Sequence, residues 1–133
     1  MSDGSPRGRW IRNGILAIYW SGIFVLTHLP PSDLPKTHVS DKLAHFAVYA
    51  LLGTLLGIAI GRRWSWLGGA VVVTTIGLIY GAIDELTQPL FGRSCSIHDW
   101  YADAAGVVFG AILGNLGRIF LEKYTSSRKI PVT

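Results

Sequence analysis

The sequence predicts an all-α membrane protein of four transmembrane helices with both termini in the cytoplasm. Half of the 133 residues are hydrophobic, only 15% are charged, and the mean hydropathy is +0.39. This balance is too apolar for an ordinary soluble domain of this size. A helix needs roughly 20 apolar residues to cross a bilayer. Four stretches approach that length, at 11–29, 43–60, 66–83 and 100–121.

Short polar connections join the four segments, so we expect the whole chain, 1–133, to form a single transmembrane domain. The first connection is rich in proline and includes Pro30 and Pro31, and the second contains Arg62 and Arg63. Arginines precede the first segment, as they do in a signal peptide. However, the two prolines follow it where a small-residue cleavage site is required. We therefore expect the first segment to be retained.

The basic residues are divided unevenly between the two sides of the predicted bundle. Three of them, Lys36, Lys42 and Arg93, belong to the side of the first and third connections. The opposite side holds Arg7, Arg9, Arg12, Arg62, Arg63, Arg118, Lys123, Arg128 and Lys129. Basic residues in short loops favour the cytoplasm, so both termini are predicted to lie inside. This basic surface suits the anionic head groups of a lipid bilayer, and we expect no nucleic-acid partner.

Polar residues concentrate at the other, outer end of the helices. All four histidines and six of the eight acids are there: His28, His38, His45, His98, Asp33, Asp41, Asp84, Glu85, Asp99 and Asp103. Many are four residues apart and so share one helix face. These stripes are Asp41, His45 and Tyr49 on the second helix, Tyr80, Asp84 and Gln88 on the third, and Asp99 and Asp103 on the fourth.

Ionisable groups at membrane depth usually face the bundle interior or a water-filled cavity, because exposure to lipid is costly. The three stripes therefore predict one convergent site. Helix capping is the alternative role for Asp41 and Asp99, and Ser96 with Asp99 fits a capping box. Simple internal pairing is the alternative for the acids and histidine inside the helices. Asp84 and Glu85 differ by about 100° in direction, so only one of them can face the centre of the site.

Glycines at four-residue spacing predict where the helices pack closely. They are Gly53, Gly57 and Gly61 on the second helix, Gly77 and Gly81 on the third, and Gly106, Gly110 and Gly114 on the fourth. Small residues at this spacing let helix backbones approach in lipid. The lone Cys95 is expected to be a free thiol.

Three blocks of the sequence resemble the VanZ-like family, which is named for a protein associated with teicoplanin resistance. In order they are DKLAHFAVYALLG, GAIDELTQPLFGR and SIHDWYADAAGVVFG, within residues 41–110. The residues that match are Asp41, Lys42, His45, Tyr49, Asp84, Glu85, Gln88, Arg93, Asp99, Asp103 and Gly106. Position 103 departs from the pattern, since Asn is more usual there, and the extra carboxylate favours a cation. The resemblance implies a multi-pass protein of the bacterial inner (plasma) membrane, an envelope role and a connection with glycopeptide resistance, but no particular reaction.

The favoured function is binding or modifying a lipid-linked cell-envelope precursor or a phospholipid head group. Candidate ligand-binding residues are Lys42, Arg93, Gln88, Tyr49 and Asp41, with the basic pair holding a phosphate or carboxylate. Candidate catalytic residues are Glu85 or Asp84 as general base and His45 as acid, base or ligand. Candidate ligands of a divalent metal are Asp84, Glu85, Asp99, Asp103 and His45, because hard cations take carboxylate oxygens and transition ions take histidine.

Two other classes of function fit the same residues. A small transporter could relay protons through buried acids and histidine, but the inner halves of the helices are almost wholly apolar. A non-catalytic scaffold or assembly factor would use the polar groups only to specify helix pairing. The chain carries no HExxH, nucleophile-elbow or P-loop motif, so no known reaction template is met.

Overall fold

The structure, a computed structural model, describes residues 6–30, 32–33, 39–60 and 64–127. Within this part of the chain every regular element is helical, as predicted. The α-helices are α1 (Pro6–His28), α2 (Asp41–Ile60), α3 (Trp66–Thr87) and α4 (Ile97–Ser127), and a short 3-10 helix (Gln88–Phe91) continues α3. The predictions that concern Lys36, His38, Gly61, Arg62, Arg63, Arg128 and Lys129 lie outside the described residues.

Three helical stretches are long and apolar enough to cross a membrane. They are Asp41–Ile60, Trp66–Phe91 and Ile97–Leu121. Many large apolar side chains on the bundle surface are exposed, among them Leu86, Leu90 and Phe120, as expected where lipid replaces water. The first helix is long enough at 23 residues but carries three arginines in its first two turns. Its crossing of the bilayer and the cytoplasmic position of the termini remain predictions.

The closest packing joins α2 to α4, through the glycines that the sequence singled out. A Cβ on Gly53 would lie 2.6 Å from the backbone oxygen of Val107, and one on Gly57 would lie 3.1 Å from the Cα of Gly114. From the other side, a Cβ on Gly110 would overlap the backbone oxygen of Ala50. A methyl group would collide with backbone at Gly53 and Gly110 and would be tight at Gly57, so the two backbones touch along the crossing.

The other two helices are attached to this pair by packing and by hydrogen bonds. Gly77 of α3 gives room to the side chain of Val107, and Trp100 Nε1 donates to the backbone oxygen of Leu78 at 3.2 Å. The Tyr19 hydroxyl of α1 donates to the backbone oxygen of Val48 at 2.9 Å. Because α1 and α3 end at the same level as α2 and α4 begin, the four polar ends lie together.

Serines, rather than the neighbouring acids, cap the two helices that begin at this end. Leu43 N donates to Ser40 Oγ at 3.3 Å, and Asp99 N donates to Ser96 Oγ at 3.4 Å. Asp41 and Asp99 lie in the first turns of α2 and α4, where a negative charge is favoured by the helix dipole. Their carboxylates are therefore not needed as cap acceptors.

Candidate functional site

All four α-helices contribute to a group of buried polar side chains at one end of the bundle. We call this group the polar cluster; its members are His28, His45, Asp84, Glu85, Gln88 and Asp103, each at most 6% exposed. Four of the six come from the stripes predicted on α2, α3 and α4, and a fifth, Glu85, is the neighbour of Asp84 on α3. The sixth, His28, adds α1 to the site. The four-residue spacing therefore placed the polar faces correctly, toward the inside of the bundle.

The centre of the polar cluster is a contact between α2 and α4. His45 Nδ1 lies 2.9 Å from Asp103 Oδ1, a hydrogen-bond distance, and 3.9 Å from Glu85 Oε1. The other ring nitrogen, Nε2, lies 4.0 Å from Asp41 Oδ1. One edge of the imidazole thus faces the buried acids and the other faces the outer end of the bundle.

Glu85 is held in place from two directions. The backbone N–H of Ser96 donates to its Oε2 at 2.8 Å, and Gln88 Nε2 donates to its Oε1 at 3.2 Å. A hydrogen bond from an amide to a buried carboxylate is strong and directional. The connection between α3 and α4 therefore fixes the orientation of Glu85, and its Oε1 is turned toward His45.

Asp84 faces α1 instead of the centre, as the 100° step between adjacent residues requires. Thr27 Oγ1 donates to Asp84 Oδ1 at 2.8 Å, and Gln88 Nε2 lies 3.4 Å from Asp84 Oδ2. His28 lies next to this contact, with Nδ1 at 2.8 Å from the Phe24 backbone oxygen. The opposite ring nitrogen, Nε2, lies 2.8 Å from the Thr87 hydroxyl. Asp84 is thereby satisfied by neighbours on α1 and α3.

Three buried oxygen atoms in and beside the polar cluster have no hydrogen-bond partner among the described residues. They are Asp103 Oδ2 and the hydroxyls of Tyr49 and Tyr80. Both hydroxyls lie near the carboxylates of Asp84 and Asp103, and the two tyrosine rings are 5.9 Å apart. A buried polar atom without a partner costs about 1–3 kcal/mol. The polar cluster therefore contains more hydrogen-bonding capacity than its own residues use.

The rim of the polar cluster carries the exposed charged residues. Arg93, half-buried, donates from NH1 to the Leu29 backbone oxygen at 3.4 Å and places NH2 at 3.8 Å from Asp41 Oδ1. The Asp41 side chain is 63% exposed, so this ion pair adds little stability. Lys42 is exposed and Asp99 half-buried. The structure brings Arg93 to the predicted site and leaves Lys42 at its outer edge.

Among the described residues, the acids of the polar cluster outnumber the basic groups beside them. Asp84, Glu85 and Asp103 are 1%, 3% and 1% exposed, and no Lys or Arg side chain within the described residues forms an ion pair with any of them. Within the described residues, His45 and His28 are the buried groups beside them that can become positive. Carboxylates at membrane depth are expensive unless a cation or a proton neutralises them.

Two sets of side chains have the mutual distances of metal ligands. One is His45 with Glu85 and Asp103, all buried, and the other is His45 with Asp41 and Asp99; in each set the ligand atoms lie within 4.8 Å of one another. Asp84, which the sequence analysis included among the candidate ligands, belongs to neither set within the described residues. The reason is its orientation toward Thr27.

Sequence reasoning missed three contributors to the site. Thr27 and Thr87 gave no signal of their own, although each is next to a polar residue that the sequence analysis named, His28 and Gln88 respectively. Ser96 was identified as a helix cap, but the contact of its backbone N–H with Glu85 depends on how the loop between α3 and α4 folds. A backbone donor leaves no trace in the residue pattern.

Comparison with known proteins supplies one match. A family model described as VanZ/LLP1 matches residues 8–118, which is most of the chain. No curated protein and no solved structure matches the sequence of this chain. The match spans the polar ends of all four helices and therefore includes every residue of the polar cluster.

Proposed function

Because the chain belongs to the VanZ/LLP1 family, we propose that it is a cell-envelope membrane protein whose polar cluster binds or modifies the head group of a lipid-linked envelope component. Three helices long and apolar enough to span a bilayer support a place in the membrane. The polar cluster lies at the helix ends, the level at which lipid head groups are found. A contribution to glycopeptide resistance is a phenotype that this function could produce.

The observation that carries this proposal is the set of unpartnered buried oxygens in and beside the polar cluster. Asp103 Oδ2 and the Tyr49 hydroxyl are buried without a hydrogen-bond partner among the described residues. A cluster that served only to pair helices would gain stability from using these groups. Their free capacity is expected of a site that completes its contacts with a ligand, since sites of this kind are often built at the expense of stability.

The rim supplies the group best suited to an anionic head group. The Arg93 guanidinium is anchored by the Leu29 backbone oxygen, and among the described residues its other arm reaches the exposed carboxylate of Asp41. Arginine recognises phosphate and carboxylate through parallel hydrogen bonds. We therefore place the charged part of the head group beside Arg93, with Lys42 as a second and more exposed cation.

Glu85 is better placed than Asp84 to act on a bound head group. Glu85 Oε1 is within 3.9 Å of His45, so the two form an acid and base pair at the centre of the polar cluster. Asp84 is occupied by the Thr27 hydroxyl. In this proposal Glu85 is the general base, His45 is the acid or a ligand, and Asp84 positions the neighbouring groups.

A non-catalytic scaffold is the second candidate, and the hydrogen bonds of Asp84 and Glu85 favour it. Asp84 is bonded by Thr27, and Glu85 is bonded by the Ser96 amide. Such contacts are those of a network that specifies helix pairing. Under this alternative, substitutions in the polar cluster would reduce folding before they changed any lipid or cell-wall component.

The experiment compares the lipids and muropeptides of cells with and without the protein, and then complements the deletion with variants. Glu85→Gln keeps the shape and one hydrogen-bonding oxygen but removes the charge. Asn115→Ala is the matched control, because Asn115 is also buried but lies about 18 Å from Asp103 along α4, at about 1.5 Å per residue. We expect the wild type and Asn115→Ala to restore the envelope composition and Glu85→Gln to fail. Restoration by Glu85→Gln at equal abundance would refute a role for its charge.

A further inference from the structure

We propose that the polar cluster binds a divalent transition ion, such as Mn²⁺ or Zn²⁺, through His45, Glu85 and Asp103. The three residues come from three different helices and are 6%, 3% and 1% exposed. Their ligand atoms lie within 4.8 Å of one another. The proposal deepens the proposed function and rests on it, because the ion is the positive charge that would draw a phosphate or carboxylate into an acidic cluster.

The distances around His45 allow the three side chains to bind one and the same ion. Two ligand atoms about 2.1 Å from one ion are about 3–3.5 Å apart in octahedral or tetrahedral geometry. His45 Nδ1 is 2.9 Å from Asp103 Oδ1 and 3.9 Å from Glu85 Oε1, which brackets that separation. The separation between the Glu85 and Asp103 ligand atoms is at most 4.8 Å, so side-chain movements of no more than about 1 Å would bring all three atoms to bonding distance.

An independent observation points to a ligand at this place. Asp103 Oδ2 is buried and has no hydrogen-bond partner among the described residues, and the nearby hydroxyls of Tyr49 and Tyr80 have none either. One carboxylate oxygen of Asp103 is thus available even while the other contacts His45. Tyrosine hydroxyls beside it are suited to bind a water molecule on the ion, since a hydroxyl both donates and accepts.

The surroundings hold the ligands in position. Glu85 Oε2 accepts from the Ser96 amide, and Gln88 Nε2 donates to Glu85 Oε1. Outer partners of this kind orient metal ligands, and their loss typically weakens binding by about 10–100-fold. The nitrogen of His45 favours a transition ion over Mg²⁺ or Ca²⁺, which prefer oxygen. The two carboxylates neutralise the dipositive charge in a region of low dielectric.

The outer set of Asp41, His45 and Asp99 is less well suited to this role. Asp41 is 63% exposed at its side chain and faces Arg93 at 3.8 Å, so a cation there would compete with the guanidinium. This set shares His45 with the inner set but uses the other ring nitrogen. Variants of His45 therefore cannot distinguish the two sets, whereas variants of the acids can.

The test is titration of the purified full-length protein in lipid nanodiscs with Mn²⁺ or Zn²⁺ alone, with bound ion counted by elemental analysis and affinity measured by calorimetry. We expect one ion per chain, bound more tightly than Mg²⁺. Glu85→Gln and Asp103→Asn should weaken binding by at least about tenfold. Asp41→Asn and Asp99→Asn are matched controls at the rim and should bind as the wild type does. Elution as a single species and membrane abundance establish that each variant is folded.

Three results would overturn the proposal. The first is a wild type that binds no ion, and the second is unchanged affinity in Glu85→Gln and Asp103→Asn. The third is loss of binding in Asp41→Asn and Asp99→Asn alone, which would assign the ion to the outer set. None of these results depends on a lipid substrate. If the wild type binds no ion but Glu85→Gln still fails to restore the envelope composition, the metal proposal fails and the proposed function stands. If the ion binds as expected but Glu85→Gln restores the envelope composition, the proposed function fails and the metal site stands.

Discussion

Gly110→Ala tests the crossing of α2 and α4, on which the position of the polar cluster depends. A Cβ at Gly110 would overlap the backbone oxygen of Ala50 and lie 2.8 Å from the backbone nitrogen of Thr54. Backbone atoms cannot rotate away, so the helices must separate. Overpacking of this kind costs about 1–3 kcal/mol, and alanine regains at most about 1 kcal/mol through helix propensity. We expect a net loss of about 1–2 kcal/mol, or roughly tenfold in the unfolding equilibrium.

Gly117→Ala is the control on the same helix, because a Cβ there would meet nothing within 4 Å. It should leave stability unchanged or raise it by up to about 1 kcal/mol. The assay is the free energy of unfolding in mixed detergent micelles, with membrane abundance measured in parallel. Gly110→Leu should lower the amount of folded protein more than Gly110→Ala does. If Gly110→Ala and Gly117→Ala are equally stable, the two helices do not cross at Gly110 and the arrangement described above is wrong.

Three further predictions concern single side chains. Thr27→Val should destabilise the protein by about 1–3 kcal/mol, because buried Asp84 loses a hydrogen bond of 2.8 Å; an unchanged unfolding free energy would show that α1 does not support the site. Tyr49→Phe should raise that free energy by about 1–3 kcal/mol, since it removes a buried hydroxyl that has no hydrogen-bond partner in the described chain, and a loss as large as that of Thr27→Val would contradict this. In intact cells an impermeant thiol reagent should label exposed Cys95 and not the cysteine of an Arg63→Cys variant, because basic loops face the cytoplasm; the opposite labelling pattern would reverse the topology.

The helices and their packing faces could be predicted from the sequence because both follow from fixed spacings. Apolar length sets the number of helices, and the four-residue spacing of Gly106, Gly110 and Gly114 marks the face that meets α2. The helix ends were less predictable. α3 continues beyond the apolar run to Thr87, because Asp84 and Glu85 find partners inside the bundle. α2 begins at Asp41, directly after the Ser40 cap.

The site was predictable in outline and less so in detail. The stripes on α2, α3 and α4 identified His45, Asp84 and Asp103 as neighbours, and Glu85 was a candidate as the residue next to Asp84. Spacing within a helix gives directions but no distances between helices, so it could not show that Asp84 faces α1. It also could not reveal a backbone donor such as the Ser96 amide.

The most direct test of a working site against a packing network measures folding and function in the same variants. Glu85→Gln and Asp84→Asn each remove one buried charge and keep the shape of the side chain. We expect both to change the free energy of unfolding by no more than about 1 kcal/mol, since removing a buried charge relieves a desolvation cost, and yet to abolish the envelope change that the wild type restores. If both variants lose as much folded protein as Gly110→Leu, or if both restore the envelope fully, the polar cluster is not the functional site.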